Sequence, residues 1–302
     1  MRELPIAVEG GNPDVDTPAD HVALLEAAWA ARVVANAEQV DRFREMPDGA
    51  DFYAPVTGLF RADPRRTDEP VLDALLELVE PGDTWIDIGA GAGRYALPIA
   101  LALAPSGGRV IALDASPGML DALLELQSEH GVTDVEVVET RWPPPPGTFA
   151  RFEADVALIA HVGYDIDPIG PFIDAMESVA RRLCVAVLME RQPASLADPF
   201  WPPVHGEARV PLPALPEFVE LLRARGRAPN MRMLERAARR FGSRDELEGF
   251  VRRQLWVEPG SGADRRFQQA LDERIETDGD GGIGLRGQPS LPIGVVTWRP
   301  DR

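Results

Sequence analysis

Thr84-Trp85-Ile86-Asp87-Ile88-Gly89-Ala90-Gly91-Ala92-Gly93-Arg94-Tyr95 is the stretch on which the reading of this sequence turns. An apolar strand runs into an acidic residue, then into glycines at alternate positions, then into a helical pattern. Glycine lacks a Cβ, so the backbone can turn sharply there and a ligand can lie directly on it. Asp87 stands at the strand's carboxyl end, where open α/β sheets bind their ligands. A second apolar run, Arg109-Val110-Ile111-Ala112-Leu113, ends in Asp114. A carboxylate at that point can accept both hydroxyls of a ribose, so the pair predicts a nucleoside-containing ligand.

Two ligands compete for such a turn. Gly91-x-Gly93-x-x-Ala96 loosely matches the dinucleotide fingerprint. The fuller match is D-x-G-x-G-x-G from Asp87 to Gly93, which resembles motif I of the class I S-adenosylmethionine (SAM) methyltransferases. A dinucleotide brings a pyrophosphate, which wants backbone N–H groups and a helix N-terminus. SAM has no phosphate and brings an ammonium, which an acidic residue ahead of the glycines suits. The resemblance continues through Ala115-Ser116-Pro117-Gly118-Met119-Leu120, similar to the family's D-x-S-x-x-M-L run. It implies that Ala115 and Met119 line the adenine side. Ser116 is placed to cap the next helix, with Pro117 at its first position.

A third strand, Val135 to Glu139, is followed by Thr140-Arg141-Trp142, where many members of that family have Gly-Asp and the Asp contacts the adenine amine. Here Thr140, Arg141 or the apolar face of Trp142 stands in that place. The fourth strand, Ala154 to Ala160, leads into His161-Val162-Gly163-Tyr164 and resembles motif IV, whose end faces the reactive methyl group. The resemblance covers residues 70–190 and implies SAM as cofactor. Its implied contacts are Asp87, Gly89, Gly91, Gly93, Asp114, Ala115, Thr140, Arg141, Trp142 and His161.

Strands near 84–88, 109–113, 135–139, 154–160 and 183–189 alternate with helices near 93–103, 117–130 and 169–181. Such alternation predicts a parallel sheet covered on both faces. The fold expected is α/β, a Rossmann-like class I methyltransferase with a seven-stranded, mostly parallel sheet. The resemblance implies the strand order 3-2-1-4-5-7-6, with the seventh strand antiparallel. Residues 1–66 read as an N-terminal arm and helical lid: 1–19 irregular, then a helix from Asp20 to Arg44, then a loop carrying Phe52, Tyr53 and Pro55. Residues 67–190 form the SAM-binding core, opening with a helix from about Thr67 to Val79. Residues 191–302 complete the same domain with helical insertions and the last two strands. Within them, 192–216 reads as an ordered loop, with a helix from Leu215 to Arg225 and a strand from Met231 to Glu235. Helices then run from Arg244 to Trp256 and from Asp264 to Ile275, followed by a flexible turn at 278–287 and a strand from Ile293 to Trp298.

The chain has 302 residues, 45% of them hydrophobic, enough for one large α/β domain with additions. No apolar run approaches a membrane span, and the first residues lack the apolar core of a signal peptide, so a cytoplasmic protein is expected. The single cysteine, Cys184, allows no internal disulfide. All 31 basic residues are arginine, which excludes lysine-based chemistry such as Schiff-base formation. A net charge of −18 argues against polyanionic partners. Residues 223–253, with ten arginines against four acids, form the basic exception. They read either as a local anion site or as solvated helix faces.

Methyl transfer needs alignment and exclusion of water more than covalent help. A base is required only if the acceptor must lose a proton. His161, Tyr164 and His205 are the catalytic candidates. His161 follows the fourth strand, or else holds its loop through a backbone hydrogen bond. Tyr164 and Asp165 come next, and His205 lies in the insertion after the fifth strand. Glu190 and Arg191 end the fifth strand near the same cleft. Tyr53 and Trp29 read as lid residues, Trp29 also as core. The four histidines show no metal-ligand pairing, and Asp278-Gly279-Asp280-Gly281-Gly282 lacks the later glutamate of a calcium loop, so no metal is expected. Neither a G-x-S-x-G elbow nor a P-loop lysine is present. The missing Asn-Pro-Pro-Tyr signature after the fourth strand points toward a small-molecule acceptor. Three other readings stay open. They are a nicotinamide-dependent oxidoreductase, a non-catalytic SAM-binding module, and an RNA or protein methyltransferase using the 223–253 arginines.

Overall fold

The structure is a computed structural model that describes residues 17–47, 51, 54–235, 238–277, 279, 281–288 and 290–301. Expectations for 1–16, Phe52, Tyr53, Arg236, Asp278 and Asp280 lie outside the described residues. The strands are β1 (Thr84–Ile88), β2 (Arg109–Asp114), β3 (Val135–Glu139), β4 (Ala154–Ala160), β5 (Ala180–Met189), β6 (Asn230–Leu234), β7 (Ile275–Thr277), β8 (Ile283–Leu285) and β9 (Ile293–Trp298). Seven of them form one sheet in the order β3-β2-β1-β4-β5-β9-β6, and β7 and β8 form a separate hairpin. The first five are parallel to their neighbours; β9 runs antiparallel to both β5 and β6. The order is the one expected, with the hairpin inserted ahead of the last strand.

The helices are α1 (Pro18–Phe43), α2 (Pro70–Leu76), α3 (Ala96–Leu103), α4 (Pro117–His130), α5 (Ile169–Val179), α6 (Trp201–His205), α7 (Leu215–Ala224), α8 (Arg244–Leu255) and α9 (Gly262–Arg274). Successive side chains of a strand point to opposite faces, and the core divides accordingly. Ile86, Ile88, Ile111, Ala157, Ile159 and Ala186 pack on α1, α5 and α7. Trp85, Val110, Ala112, Leu158, Val185 and Val187 pack on α2, α3 and α4. Both faces are covered, which is why β4 and β5 read as nearly unbroken apolar runs.

A third cluster lies apart from the sheet. Leu196, Phe200, Trp201 and Val204 pack there with residues of α8, α9 and β8, and with Val40 of α1. This is a cap, and α1 ties it to the core. The Trp29 indole N–H donates to Ile166 O (2.9 Å), Gln39 Nε2 to Ala208 O (2.8 Å), and Glu45 N to Trp256 O (2.9 Å). Trp29 is therefore a core residue, in edge-to-face contact with Phe218.

Three expectations are corrected. The 192–216 segment is helical in part, with a 3₁₀ stretch at Pro193–Phe200 and then α6. Its prolines sit largely in first turns, where a missing N–H is no loss. Part of the expected flexible turn at 278–287 is a strand, since β8 (Ile283–Leu285) pairs antiparallel with β7. The helix after the glycines begins at Ala96, because the turn itself occupies Gly89 to Arg94.

Candidate active site

The glycine turn is held by the strand beside it. Gly89 N and Ala90 N both donate to Leu113 O of β2 at 2.8 Å. Gly89 has φ +77°, and a Cβ there would stand 2.5 Å from Val162 Cγ2. The residue after His161 thus fills the space that a side chain at 89 would need, so the end of β4 abuts the turn. Gly93, at φ +79°, would bring a Cβ within 2.9 Å of both Leu97 and Leu123, so its bare backbone lets α3 and α4 close on the turn.

Asp87 is 2% exposed, and its Oδ1 has no hydrogen-bond partner. Burial, aided by the charge of Asp114, pushes its carboxyl up from 3.8 to about 7, while an N–H from Ala96 offsets part of the rise. Asp114 ends β2 half-buried. Its Oδ2 accepts from Gly91 N (2.8 Å) and its Oδ1 from Ser116 N (2.9 Å). Burial raises its carboxyl too, against these backbone donors. An N–H from Ala115 also reaches the carboxylate, which keeps lone-pair capacity for a further hydroxyl. Ser116 caps α4 by accepting from Met119 N (3.1 Å). The Asp51 carboxylate accepts from Ser116 Oγ and Gly118 N (2.9 Å), binding the N-terminal segment over this loop. Asp51 was not among the residues singled out in the sequence; it is joined to the site only by the fold, and no local pattern marks it.

Beyond the glycines the expected residues part company. Thr140 N donates to Asp114 O (2.9 Å), which keeps Thr140 and Arg141 beside β2's end. Trp142 is turned into the core, edge-on to Phe149 and Phe152 with its N–H toward Phe172 O (3.5 Å). His161 is half-buried at φ +60°, a left-handed conformation uncommon for a residue with a side chain, and its N donates to Val187 O (2.8 Å). The Tyr164 hydroxyl accepts from Met189 N (2.8 Å), bracing the end of β5 from within the core. His205 is not at the strand ends. It belongs to the cap, between the Phe43 and Trp201 rings, with Nε2 at 3.0 Å from Leu255 O.

At least six of the ten arginines of the basic segment pair with acids among the described residues, Arg240 with Glu276 being one such pair. Arg225 pairs with Glu26 and Asp174, Arg227 with Glu177 and Asp301, Arg232 with Glu77, Arg244 with Asp272, and Arg252 with Glu248 and Asp264. Among the described residues no group of three His, Cys, Asp or Glu side chains could hold a metal ion, and no helix is long and apolar enough to cross a membrane.

No family model matches the chain, and no curated protein matches it. Solved structures do. A candidate methyltransferase from Bacillus halodurans superposes with a TM-score of 0.51 at 12% identity, over 76% of this chain and 99% of that one. The chain has the class I methyltransferase fold. A SAM-dependent methyltransferase from Geobacter sulfurreducens, solved with S-adenosylhomocysteine, gives 0.47 at 14% identity over 82% of this chain and 96% of that one. Coclaurine N-methyltransferase, solved with N-methylheliamine and S-adenosylhomocysteine, gives 0.47 at 12% identity over 94% and 95%. In the class I methyltransferase fold of this chain, Asp87, the glycine turn and Asp114 share the carboxyl edge of the sheet, where ligands bind.

Proposed function

We propose that this protein is a SAM-dependent methyltransferase acting in the cytoplasm on a small molecule. The observation that carries the reading is Asp87, a buried carboxylate beside the glycines with an oxygen that no described residue satisfies. A pyrophosphate would meet repulsion there, whereas an ammonium would supply the missing partner and favour the ionised carboxylate. This argues against a nicotinamide cofactor.

SAM, when bound, supplies a methyl group already activated on a sulfonium. The protein's part is to hold and to exclude. Asp87 would receive the ammonium, and the remaining lone-pair capacity of Asp114 would receive the ribose. Gly91 keeps the backbone bare beside Met119. Thr140 and Arg141 border the adenine side, with Trp142 as packing behind them. His161 faces the acceptor from the end of β4, ready to take a proton where the acceptor nucleophile carries one. Tyr164 positions the end of β5, and His205 steadies the cap. The arm within 1–66 and the insertions within 191–302 cover the site and keep water out. Pairing of the 223–253 arginines with acids from elsewhere in the chain supports a small-molecule acceptor over RNA or protein. A thermal-shift comparison tests the cofactor class: S-adenosylhomocysteine should stabilise the protein and NADH and NADPH should not. The reverse pattern would make the protein an oxidoreductase.

A further inference from the structure

β5 is parallel to β1 and two strands from it, so Met189 ends at the same edge of the sheet as the glycine turn, roughly 10 Å along at the usual strand spacing. β9 enters that edge in the opposite sense, with Ile293 paired to Met189. Where the chain leaves β5 and approaches β9, the cap leaves a cavity of about 310 Å³. A second, of about 230 Å³, shares Arg191, Ser195 and Asp198 with it.

Among the described residues several polar atoms around these cavities have no partner. Ser195 Oγ, Gln192 Nε2, Asp198 Oδ1 and Gln288 Oε1 are buried with no hydrogen-bond partner. Ser195 and Gln192 are 6% and 5% exposed. Native proteins keep few such atoms, and several around one hollow mark a place where a ligand completes the bonding. Arg209 lies 3.8 Å from Asp198 Oδ1, too far for a hydrogen bond, and Arg191 bonds to the other oxygen (2.5 Å). At the larger cavity's rim stand Arg274 and Arg286, both exposed, and neither pairs with a carboxylate among the described residues. The Arg274 guanidinium lies over the Phe200 ring, 5.9 Å from its centroid, and its N–H groups remain available to an anion. Leu196, Leu285 and Leu291 give the same cavity apolar walls.

We propose that this cavity is the acceptor subsite and takes a small molecule with an apolar body and a carboxylate. The carboxylate meets Arg274 and Arg286, for which guanidinium geometry is suited. Hydrogen-bonding groups elsewhere on the ligand meet Ser195, Asp198 and Gln288. That the ligand is the acceptor rests on the methyltransferase reading; that the cavity binds a carboxylate does not.

The test is calorimetric titration of the full chain, without cofactor, with benzoate, 4-hydroxybenzoate and indole-3-acetate, and with benzamide as the neutral control. At least one carboxylate should bind, with benzamide weaker by about tenfold or more. Arg274→Ala with Arg286→Ala should lose about tenfold or more in carboxylate affinity, and the Lys pair should regain part of it. The one bond between these residues runs from Arg286 N to Arg274 O and is untouched by either change. An unaltered melting temperature and unaltered S-adenosylhomocysteine affinity in the double Ala variant would show that the loss is local. Absence of binding by all three carboxylates at millimolar concentration, or equal binding by the double Ala variant, would overturn the proposal. Carboxylate binding with no S-adenosylhomocysteine binding would keep the cavity's ligand class and overturn its assignment as acceptor site.

Discussion

Asp87 trades stability for binding. Its carboxyl is raised from 3.8 to about 7 by burial and by Asp114, so the folded protein holds a proton there that the unfolded chain has released. Its contribution to stability is therefore full below about pH 4 and is lost as pH rises toward 7. Asp87→Asn should raise the melting temperature of the unliganded protein at neutral pH, with the gain shrinking toward pH 4. The same substitution should remove ligand affinity. In the native protein, S-adenosylhomocysteine affinity should climb with pH up to about 7, by at most about tenfold per pH unit. In the Asn variant that slope should vanish; a pH series of titrations on the two proteins reads the difference. At this scale the sequence was legible where chemistry is local. Asp87, Asp114 and the Ser116 cap all follow from short motifs. Trp142 and His205 were not legible, because both are claimed by aromatic neighbours distant in sequence, Phe149 and Phe152 for one and Phe43 for the other.

The turn between β1 and α3 is the element on which the site depends, and Gly89 is its tightest point. Gly89→Ala would impose a side chain at φ +77° and drive its Cβ against Val162. The cost should be about 1–3 kcal/mol in urea denaturation. Val162→Ala in the same chain should recover the part due to contact and leave the part due to φ. No recovery would mean that Val162 does not fill that space. Elements whose pattern is periodic or capped stood out in the sequence: β1 to β4, α4, α7, α8 and β9 lie within a residue or two of expectation. The 3₁₀ stretch and α6 were hidden because proline signals a break unless one knows that it falls in a first turn. The hairpin was hidden because its strands are only three residues long.

At the scale of the molecule, the far edge of the sheet is fastened by a buried network that no motif announces. Glu177 of α5 accepts from Arg227 through both oxygens (2.8 and 2.6 Å) and from the Trp298 indole of β9 (2.8 Å). Glu177→Ala would strand the Trp298 indole and leave Arg227 to Asp301 and the Arg225 carbonyl, at a cost of about 1–3 kcal/mol in equilibrium unfolding. A loss well under 1 kcal/mol would show that the network is dispensable. Trp298 pairs with Cys184, so the network fastens the end of β5 and β9 opposite to Met189 and the cavities beside it. The proposed function has Asp87 and Asp114 hold a cationic nucleoside ligand between them. Calorimetric titration with S-adenosylhomocysteine tests it most directly, on the native protein and on Asp87→Ala and Asp114→Ala. Micromolar binding to the native protein, lost in both variants, is the result expected. Absence of binding to the folded native protein, or binding that survives both substitutions, would contradict the account.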